Sequence, residues 1–153
     1  MIRFSSERYR KDLINEQDHG RPRISIMVWG MCWLRDDEGG LSKLVFCRGD
    51  PDAPRKGVTS QVYQHVLEEG LLPFYEAGDP FMQDNARVHK FGGSPEWLEE
   101  HGIWTINWPA HSPDLNPIEH IWKALKAAIR KIEPEFASLK DNIADYAYAE
   151  ELI

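Results

Sequence analysis

Two acidic residues, Asp84 and Glu119, occupy positions in the sequence that suit metal-dependent chemistry. Asp84 follows a short apolar segment at 80–83 that is typical of a strand, and Glu119 falls in the first turn of a predicted helix. In an open α/β sheet the carboxyl ends of strands meet at one edge, where ligands usually bind. Mg²⁺ takes oxygen ligands and commonly only one or two protein carboxylates. Two such ions, about 3.5–4 Å apart, can activate water and stabilise the leaving oxygen of a phosphodiester.

Each carboxylate also has a purely structural explanation. Asp84 and Asn85 together can form an ordinary turn after a strand. Glu119 lies three residues after Asn116, which suits a capping-box-like arrangement at a helix start. On spacing alone, the structural explanations are the better ones.

The surrounding elements are predicted from apolar periodicity and from helix-capping residues. The pattern gives strand, strand, helix, strand, helix, strand, helix, which is an α/β order. Strands are predicted at 24–33, 41–47, 80–83 and 103–108, with an antiparallel hairpin closed by the turn at 35–40. Helices are predicted to begin at Thr59 or Ser60, at Ser94, at Asn116 and at about Ser138.

Two of these helices carry a well-defined apolar face. In the first, the apolar residues that recur at helical spacing up to Pro73 are Val62, Val66, Leu67 and Leu71. In the helix after Asn116, the stripe consists of Ile118, Ile121, Trp122, Leu125, Ile129 and Ile132.

Composition narrows the class of protein. The chain has 153 residues, enough for one globular domain. Its formal net charge of −7 argues against a domain that binds nucleic acid through its own electrostatic field. We expect no membrane span and no small-molecule substrate, and an intracellular protein, nuclear if the source is eukaryotic. Cys32 and Cys47 lack CxxC spacing, so buried reduced thiols are expected rather than a disulfide or a zinc knuckle.

Two longer motifs favour the chemical explanation. FMQDNARVH at 81–89 and WPAHSPDLNPIEHIW at 108–122 resemble the two signature blocks of mariner-superfamily transposases, which are DDE-type enzymes. Asp84 and Glu119 are separated by 34 residues (119 − 84 − 1), the spacing of the second and third acidic residues in one large branch of that family. IMVWG at 26–30 also resembles a strand of the family, so the resemblance covers roughly residues 1–132.

The resemblance implies an RNase H-like fold and an enzyme that cuts and joins DNA strands with Mg²⁺ or Mn²⁺. It assigns Asp84 and Glu119 as the second and third catalytic carboxylates. Family motif positions that shape the site are matched by Asn85, His89 and Asn116. Three basic residues on one polar helix face, Lys123, Lys126 and Arg130, are possible contacts for phosphate, although a solvated helix face explains them equally well. The expected partner is transposon-end DNA, with a homodimer as a further possibility.

The match is incomplete at the amino-terminal end. The family's first aspartate lies on the first, central strand of the sheet, and the 153 residues contain no convincing counterpart: Asp12 and Asp18 stand in polar sequence without strand character. We therefore expect an amino-terminally truncated catalytic domain with an arm at 1–23, a partial RNase H-like domain at 24–132 and a helical tail at 133–153. Loss of one of three carboxylates should weaken metal binding.

Three hypotheses remain open from the sequence. The first is a transposase fragment with Asp84 and Glu119 as surviving metal ligands. The second is an inactive remnant that binds DNA or protein, and the third is an unrelated α/β domain whose motifs serve caps and turns.

Overall fold

The computed structural model describes residues 25–109, 112–134, 139 and 143–152. The expected arm at 1–23, together with Asp12 and Asp18, lies outside these residues. The chain divides into two compact units: one is Val28–Ile118, and the other combines Met1–Met27 with Glu119–Ile153. The domain limits expected from the sequence at residues 23 and 132 stay a prediction.

The described elements are of mixed α/β type, as predicted. The strands are β1 (Val28–Trp29), β2 (Cys32–Arg35), β3 (Glu38–Leu41) and β4 (Val45–Phe46). The helices are α1 (Ser60–Gly70), α2 (Arg87–Lys90), α3 (Ser94–Glu100), α4 (Pro117–Ile132) and α5 (Ile143–Leu152), with a 3₁₀ turn at Pro113–Leu115 before α4.

The predicted first strand at 24–33 is wrong as one continuous element. It divides into β1, which pairs antiparallel with β4, and β2, which pairs antiparallel with β3. The second predicted strand, at 41–47, divides in the same way into the end of β3 and β4. Met31 and Ser42 bridge the two points of division: Met31 N–H donates to Ser42 Oγ, and Ser42 N–H donates to Met31 O. Apolar runs of strand length do not reveal that their two halves have different partners.

The predicted hairpin is present, but its turn is shorter than expected. Asp36 and Asp37 alone connect β2 to β3, with φ angles of 45° and 68°. Positive φ at both central residues defines the type I′ turn, whose twist matches that of the flanking strands. Gly40 therefore lies in β3 rather than in the turn, opposite Trp33. A Cβ at Gly40 would lie 2.1 Å from the Trp33 indole, so glycine lets this ring cover the strand.

Helix α1 begins as predicted and ends at Gly70, short of the predicted limit at Pro73. Thr59 is its N-cap, and the Thr59 side chain accepts a hydrogen bond from Val62 N–H. Its apolar face is buried through Tyr63, Val66 and Leu67, and Leu71 continues it at the carboxyl end. This face is the centre of the core in the Val28–Ile118 unit, where Phe81, Trp97, Leu98 and Ile103 pack with Tyr63, Leu67 and Leu71.

The two predicted strands nearest Asp84 pair at a single point. Phe81 and Thr105 form a parallel β-bridge, with Phe81 N–H donating to Trp104 O and Ile106 N–H donating to Phe81 O. The predicted extents of 80–83 and 103–108 are therefore too long. The parallel direction puts the residues that follow Phe81 and those that follow Thr105 at the same end of the pair.

The segment between these paired residues folds into α2 and α3. The sequence did not predict α2, which is a single turn. Gly93, with φ of 89°, is the N-cap of α3, so the predicted cap, Ser94, is instead its first helical residue. Gly102 ends α3 as predicted: Gly102 N–H donates to Glu99 O and Ile103 N–H to Leu98 O, the hydrogen-bond pair of a Schellman motif.

In the second unit, α4 buries Trp122 and Ile129 from the predicted stripe. Ile132, the last predicted member, is 76% exposed. The final helix, α5, is described over Ile143–Leu152, and its predicted start near Ser138 lies outside the described residues. No described helix combines the length and apolar character that crossing a bilayer requires.

Candidate functional site

Asp84 begins a tight turn that leads into α2. Ala86 N–H donates to Asp84 Oδ1 at 2.9 Å, which is the turn chemistry expected of an aspartate after a strand. The side chain is nevertheless 58% exposed. The structural explanation of Asp84 thus describes part of its environment and leaves the carboxylate accessible to solvent.

His89, five residues after Asp84, contacts the same carboxylate oxygen, Oδ1. Its Nδ1 lies 2.8 Å from Asp84 Oδ1 and 3.2 Å from the Asp84 carbonyl oxygen. Because both atoms are acceptors, Nδ1 carries the proton and donates it. This hydrogen bond is the main cause that holds the pKa of Asp84 below its ordinary value, and Ala86 N–H adds to it while partial burial opposes it. The carboxylate is therefore ionised at neutral pH.

Tyr63, on α1, contacts one residue before Asp84 in the sequence and one residue after it. Its hydroxyl donates to Gln83 Oε1 at 2.6 Å, and its ring lies 4.4 Å from the His89 ring, centroid to centroid. Burial raises the pKa of Tyr63 far above its usual value, and the negative charge of Asp84 acts in the same direction. The phenol therefore stays protonated and serves as a donor.

Asn85 connects the Asp84 turn to the neighbouring segment. Its Nδ2 donates to Trp108 O at 3.0 Å. Trp108 ends the segment that pairs with Phe81 and is the first residue of the second signature block. Asn85 therefore fixes the distance between the Asp84 turn and the start of the chain segment that leads to α4.

Asp84, Asn85 and His89 share one cavity of about 680 Å³ within the Val28–Ile118 unit. Its other walls come from α3 and from the 102–108 segment. Trp104, which is 61% exposed, and Trp108 are among the residues of this segment that line the cavity, and Lys90 and Glu99 contribute charges. The cavity is open to solvent and has the size of a ligand-binding cleft.

Asn116 and Glu119 lie at the start of α4. Asn116 is buried, and its Oδ1 accepts a hydrogen bond from Ile118 N–H at 3.3 Å, so it caps the helix as predicted. Glu119 is half-buried in the first turn of α4. It belongs to the other compact unit, so its proximity to Asp84 stays a prediction.

The three basic residues predicted to contact phosphate also lie on α4. Lys123 and Arg130 are exposed, and Lys126 is half-buried and has an interaction partner. His65 contacts Glu68 and Glu69 on the solvent face of α1, and His111, in the second signature block, lies outside the described residues.

The residues present fit a hard divalent cation of the Mg²⁺ class. Asp84 is ionised and solvent-accessible, and its contacts with Ala86 and His89 both use Oδ1. Within the described ranges Oδ2 makes no hydrogen bond, so it is available as a cation ligand. No cluster of three or more His, Cys, Asp or Glu residues placed to hold a metal ion occurs in the described part of the chain. This donor set suits an ion that keeps several waters better than it suits zinc.

Sequence reasoning missed Tyr63 and Gln83 as parts of this site. Tyr63 lies on the buried face of α1, three residues before Val66 and four before Leu67, and that spacing indicates a core residue. Its hydroxyl contact is 20 residues away along the chain. The local sequence contains no signal for that contact.

A known protein family matches the chain over most of the Val28–Ile118 unit and beyond it. A family model described as DDE superfamily endonuclease matches residues 55–143, a range that includes both Asp84 and Glu119. The chain belongs to this family. It is therefore a DDE-type transposase or endonuclease domain, as the signature blocks indicated.

Individual relatives are transposases of nematode mobile elements. The chain is similar to the transposable element Tcb1 transposase of Caenorhabditis briggsae, with 32% identity over 120 residues, 76% of this chain and 40% of that protein. It is also similar to the Tc3 transposase of Caenorhabditis elegans, with 40% identity over 95 residues, 58% of this chain and 29% of that protein. The Tc1 transposase of the same species is 28% identical over 128 residues, 81% of this chain and 43% of that protein. The chain thus spans about two-fifths of the length of the Tcb1 and Tc1 proteins.

Proposed function

We propose that this chain supplies Asp84 and Glu119 to a Mg²⁺- or Mn²⁺-dependent site that cleaves and joins DNA strands in transposition and integration. The observation that carries the proposal is the Asp84 carboxylate, which is ionised, 58% exposed and fixed at Oδ1 beside an open cavity. The matched family range and the transposase relatives support the choice of DNA as substrate.

An RNase H-like architecture is part of the same proposal. The parallel bridge between Phe81 and Thr105, with α2 and α3 in the connection, forms a βαβ-type unit. In such a unit the residue that follows the first strand and the helix that follows the second meet at one edge. Asp84 and Glu119 hold these two positions in the chain, which supports a shared cation.

Each residue has a distinct role in this proposal. Asp84 and Glu119 bind the cation, which when present supplies a water activated for attack and charge stabilisation at the leaving oxygen. His89 and the Ala86 amide fix one oxygen of Asp84, Asn85 fixes the adjoining segment, and Asn116 fixes the start of the helix that bears Glu119. The exposed side chains of Lys123 and Arg130, with Lys126 between them, contact DNA phosphate.

We further propose that a polypeptide of these 153 residues is impaired in strand cleavage. The sequence offers two of the three carboxylates that the resemblance implies, and charge count strongly affects the affinity of a site for a divalent cation. The affinity of the chain for DNA is also low, because the net charge of −7 opposes binding to phosphate. Transposon ends as the DNA bound, a homodimer and a nuclear location in a eukaryotic host complete the proposal.

The test is metal-dependent nicking of supercoiled DNA by the purified chain. With Mn²⁺ or Mg²⁺ we expect slow nicking that Asp84→Asn and Glu119→Gln each abolish. Matched controls are Asp52→Asn, an exposed loop aspartate, and Glu96→Gln, an exposed glutamate in the first turn of α3. Both controls should nick DNA at the rate of the unmodified chain.

The outcomes separate the proposed enzyme from an inactive remnant. Nicking that persists in both Asp84→Asn and Glu119→Gln would reject the assignment of these residues. DNA binding without any metal-dependent nicking, and unchanged by the same two substitutions, would instead support a remnant that acts as a binding module.

A further inference from the structure

Tyr63 stands behind the Asp84 turn, in the core of the Val28–Ile118 unit. It is 3% exposed and lies on the buried face of α1 with Leu67. A residue in this position that served only to fill the core could be a phenylalanine. The hydroxyl therefore needs an explanation of its own, because burying a polar group costs free energy unless it is hydrogen-bonded.

The Tyr63 hydroxyl has its hydrogen-bond partner beside Asp84. It donates to Gln83 Oε1 at 2.6 Å. Trp29 packs against the same core and against α1, since a Cβ at Gly70 would lie 2.5 Å from its ring. The hydroxyl thus connects α1 to the residue that immediately precedes Asp84.

The Tyr63 ring makes a second contact, on the other side of Asp84 in the sequence. Its centroid lies 4.4 Å from that of His89, with the two planes tilted by 35°. The same His89 ring donates to Asp84 Oδ1 at 2.8 Å. One side chain therefore holds the turn at two points, Gln83 before Asp84 and His89 after it.

We propose that Tyr63 is a positioning residue for the Asp84 carboxylate, acting through Gln83 and His89. The inference rests on the proposed function, since it concerns the same cation ligand. Two fixed points on either side of Asp84 restrict the rotation of the turn, and outer-shell contacts of this kind orient ligands and contribute to metal affinity. Tyr63 itself does not touch the carboxylate's cation or the substrate.

The test compares variants in which one or both contacts are lost. Tyr63→Phe keeps the ring contact with His89 and removes the hydrogen bond to Gln83, whereas Tyr63→Leu removes both. Mn²⁺ affinity is measured by titration of the full chain at a temperature where circular dichroism shows each variant fully folded. We expect Tyr63→Phe to raise the Kd for Mn²⁺ by about tenfold, the lower end of outer-shell effects, and Tyr63→Leu to raise it further.

Tyr75→Phe is the matched control. Tyr75 is a second tyrosine packed against the same core. Its hydroxyl donates to Asp79 O and accepts from Trp104 N–H, and neither partner is one of the residues that bond to Asp84, which are Ala86 and His89. Its loss should lower the unfolding midpoint in urea as Tyr63→Phe does, without changing the Kd for Mn²⁺. A Kd that is equal in the unmodified chain, Tyr63→Phe and Tyr75→Phe would overturn the proposal.

A second variant and a metal-free measurement complete the test. If Tyr63→Phe does not fold, Gln83→Met removes the same hydrogen bond from the half-buried partner, and an unchanged Kd for Mn²⁺ there would equally overturn the proposal. In the absence of metal, the NMR signal of the His89 Nδ1 proton should exchange with water faster in Tyr63→Leu than in Tyr75→Phe. Mn²⁺ binding that is insensitive to Asp84→Asn would reject the proposed function instead, and the His89 signal would still decide whether Tyr63 positions the turn.

Discussion

At the level of single residues, some polar side chains of the fold have hydrogen-bond partners and others have none that the structure describes. Asp84 and Tyr63 each have hydrogen-bond partners that match their chemistry. Ser94 does not: it is fully buried, and its Oγ has no hydrogen-bond partner among the described residues. An unpaired buried hydroxyl costs free energy, and its removal should be tolerated.

Ser94→Ala should leave the free energy of unfolding unchanged or raise it by up to about 1 kcal/mol. Urea denaturation followed by circular dichroism measures the change. Ser60→Ala is the comparison, because Ser60 Oγ donates to Phe91 O at 2.8 Å and its loss should cost about 1 kcal/mol. Equal losses in the two variants would show that Ser94 has a partner after all.

Cys47 provides a prediction of pH dependence. Burial raises its pKa to about 11, from an ordinary value of 9.0, and the thiol contacts Val45 O. The thiolate is the reactive form, so at pH 8 its fraction, and with it the rate of alkylation, should be about a hundredfold lower in the folded chain than in the unfolded chain. Iodoacetamide labelling with and without urea, quantified by mass spectrometry of the Cys47 peptide, measures this ratio.

The same pKa shift has a defined effect on stability. Because the folded state holds the Cys47 proton more tightly, the associated stabilisation is complete below about pH 9 and is lost as pH rises through about 11. Cys47→Ala should weaken that loss of stability between pH 9 and 11. Equal labelling rates in the folded and unfolded chain would contradict both expectations.

At the scale of elements, helices were more predictable than strands. The start of α1 at Thr59 and the end of α3 at Gly102 follow from local chemistry, a side-chain cap and a left-handed glycine. Strand extent depends on distant partners, which is why the segment around Phe81 pairs at one residue only. Helix α2 depends on the Asp84 turn and on contacts with α1, so its four residues carry too little local signal.

The hairpin turn between β2 and β3 offers a test at this scale. Asp36 and Asp37 both adopt positive φ, which aspartate tolerates and glycine favours. Asp37→Gly should therefore raise the free energy of unfolding by about 0.5 kcal/mol, measured by urea denaturation. Asp52→Gly, at a loop position outside the positive-φ residues, should instead lower it by about 0.4–1 kcal/mol. A loss of similar size in both variants would contradict the type I′ geometry.

At the scale of the whole molecule, the candidate site was more predictable than its support. The signature blocks marked Asp84, Asn85 and His89 from residue identity alone, and the structure brings these three together around one cavity. Tyr63 could not be found in this way, because its contacts join segments that are distant in sequence. Local motifs therefore identify the candidate site residues, whereas the residues that orient them can be identified only from the folded structure.

Net charge affects what the isolated chain can do. Eighteen basic and 25 acidic residues give −7, so association with DNA should be weak and a divalent cation should bind favourably where carboxylates converge. A cation that binds only the folded state raises the melting temperature by mass action. Stabilisation by Mn²⁺ is thus a measure of the site that requires no DNA.

A double-mutant cycle on this stabilisation tests whether Asp84 and Glu119 share one cation. If they do, Asp84→Asn and Glu119→Gln should each remove most of the rise in Tm caused by Mn²⁺, and the double variant should lose little more than either single variant. Differential scanning fluorimetry at several Mn²⁺ concentrations provides the values, with Asp52→Asn and Glu96→Gln as controls that keep the full rise. Losses that add up, half from each residue, would instead indicate two independent weak sites, because residues that act on one ligand are coupled and residues on separate ligands are not.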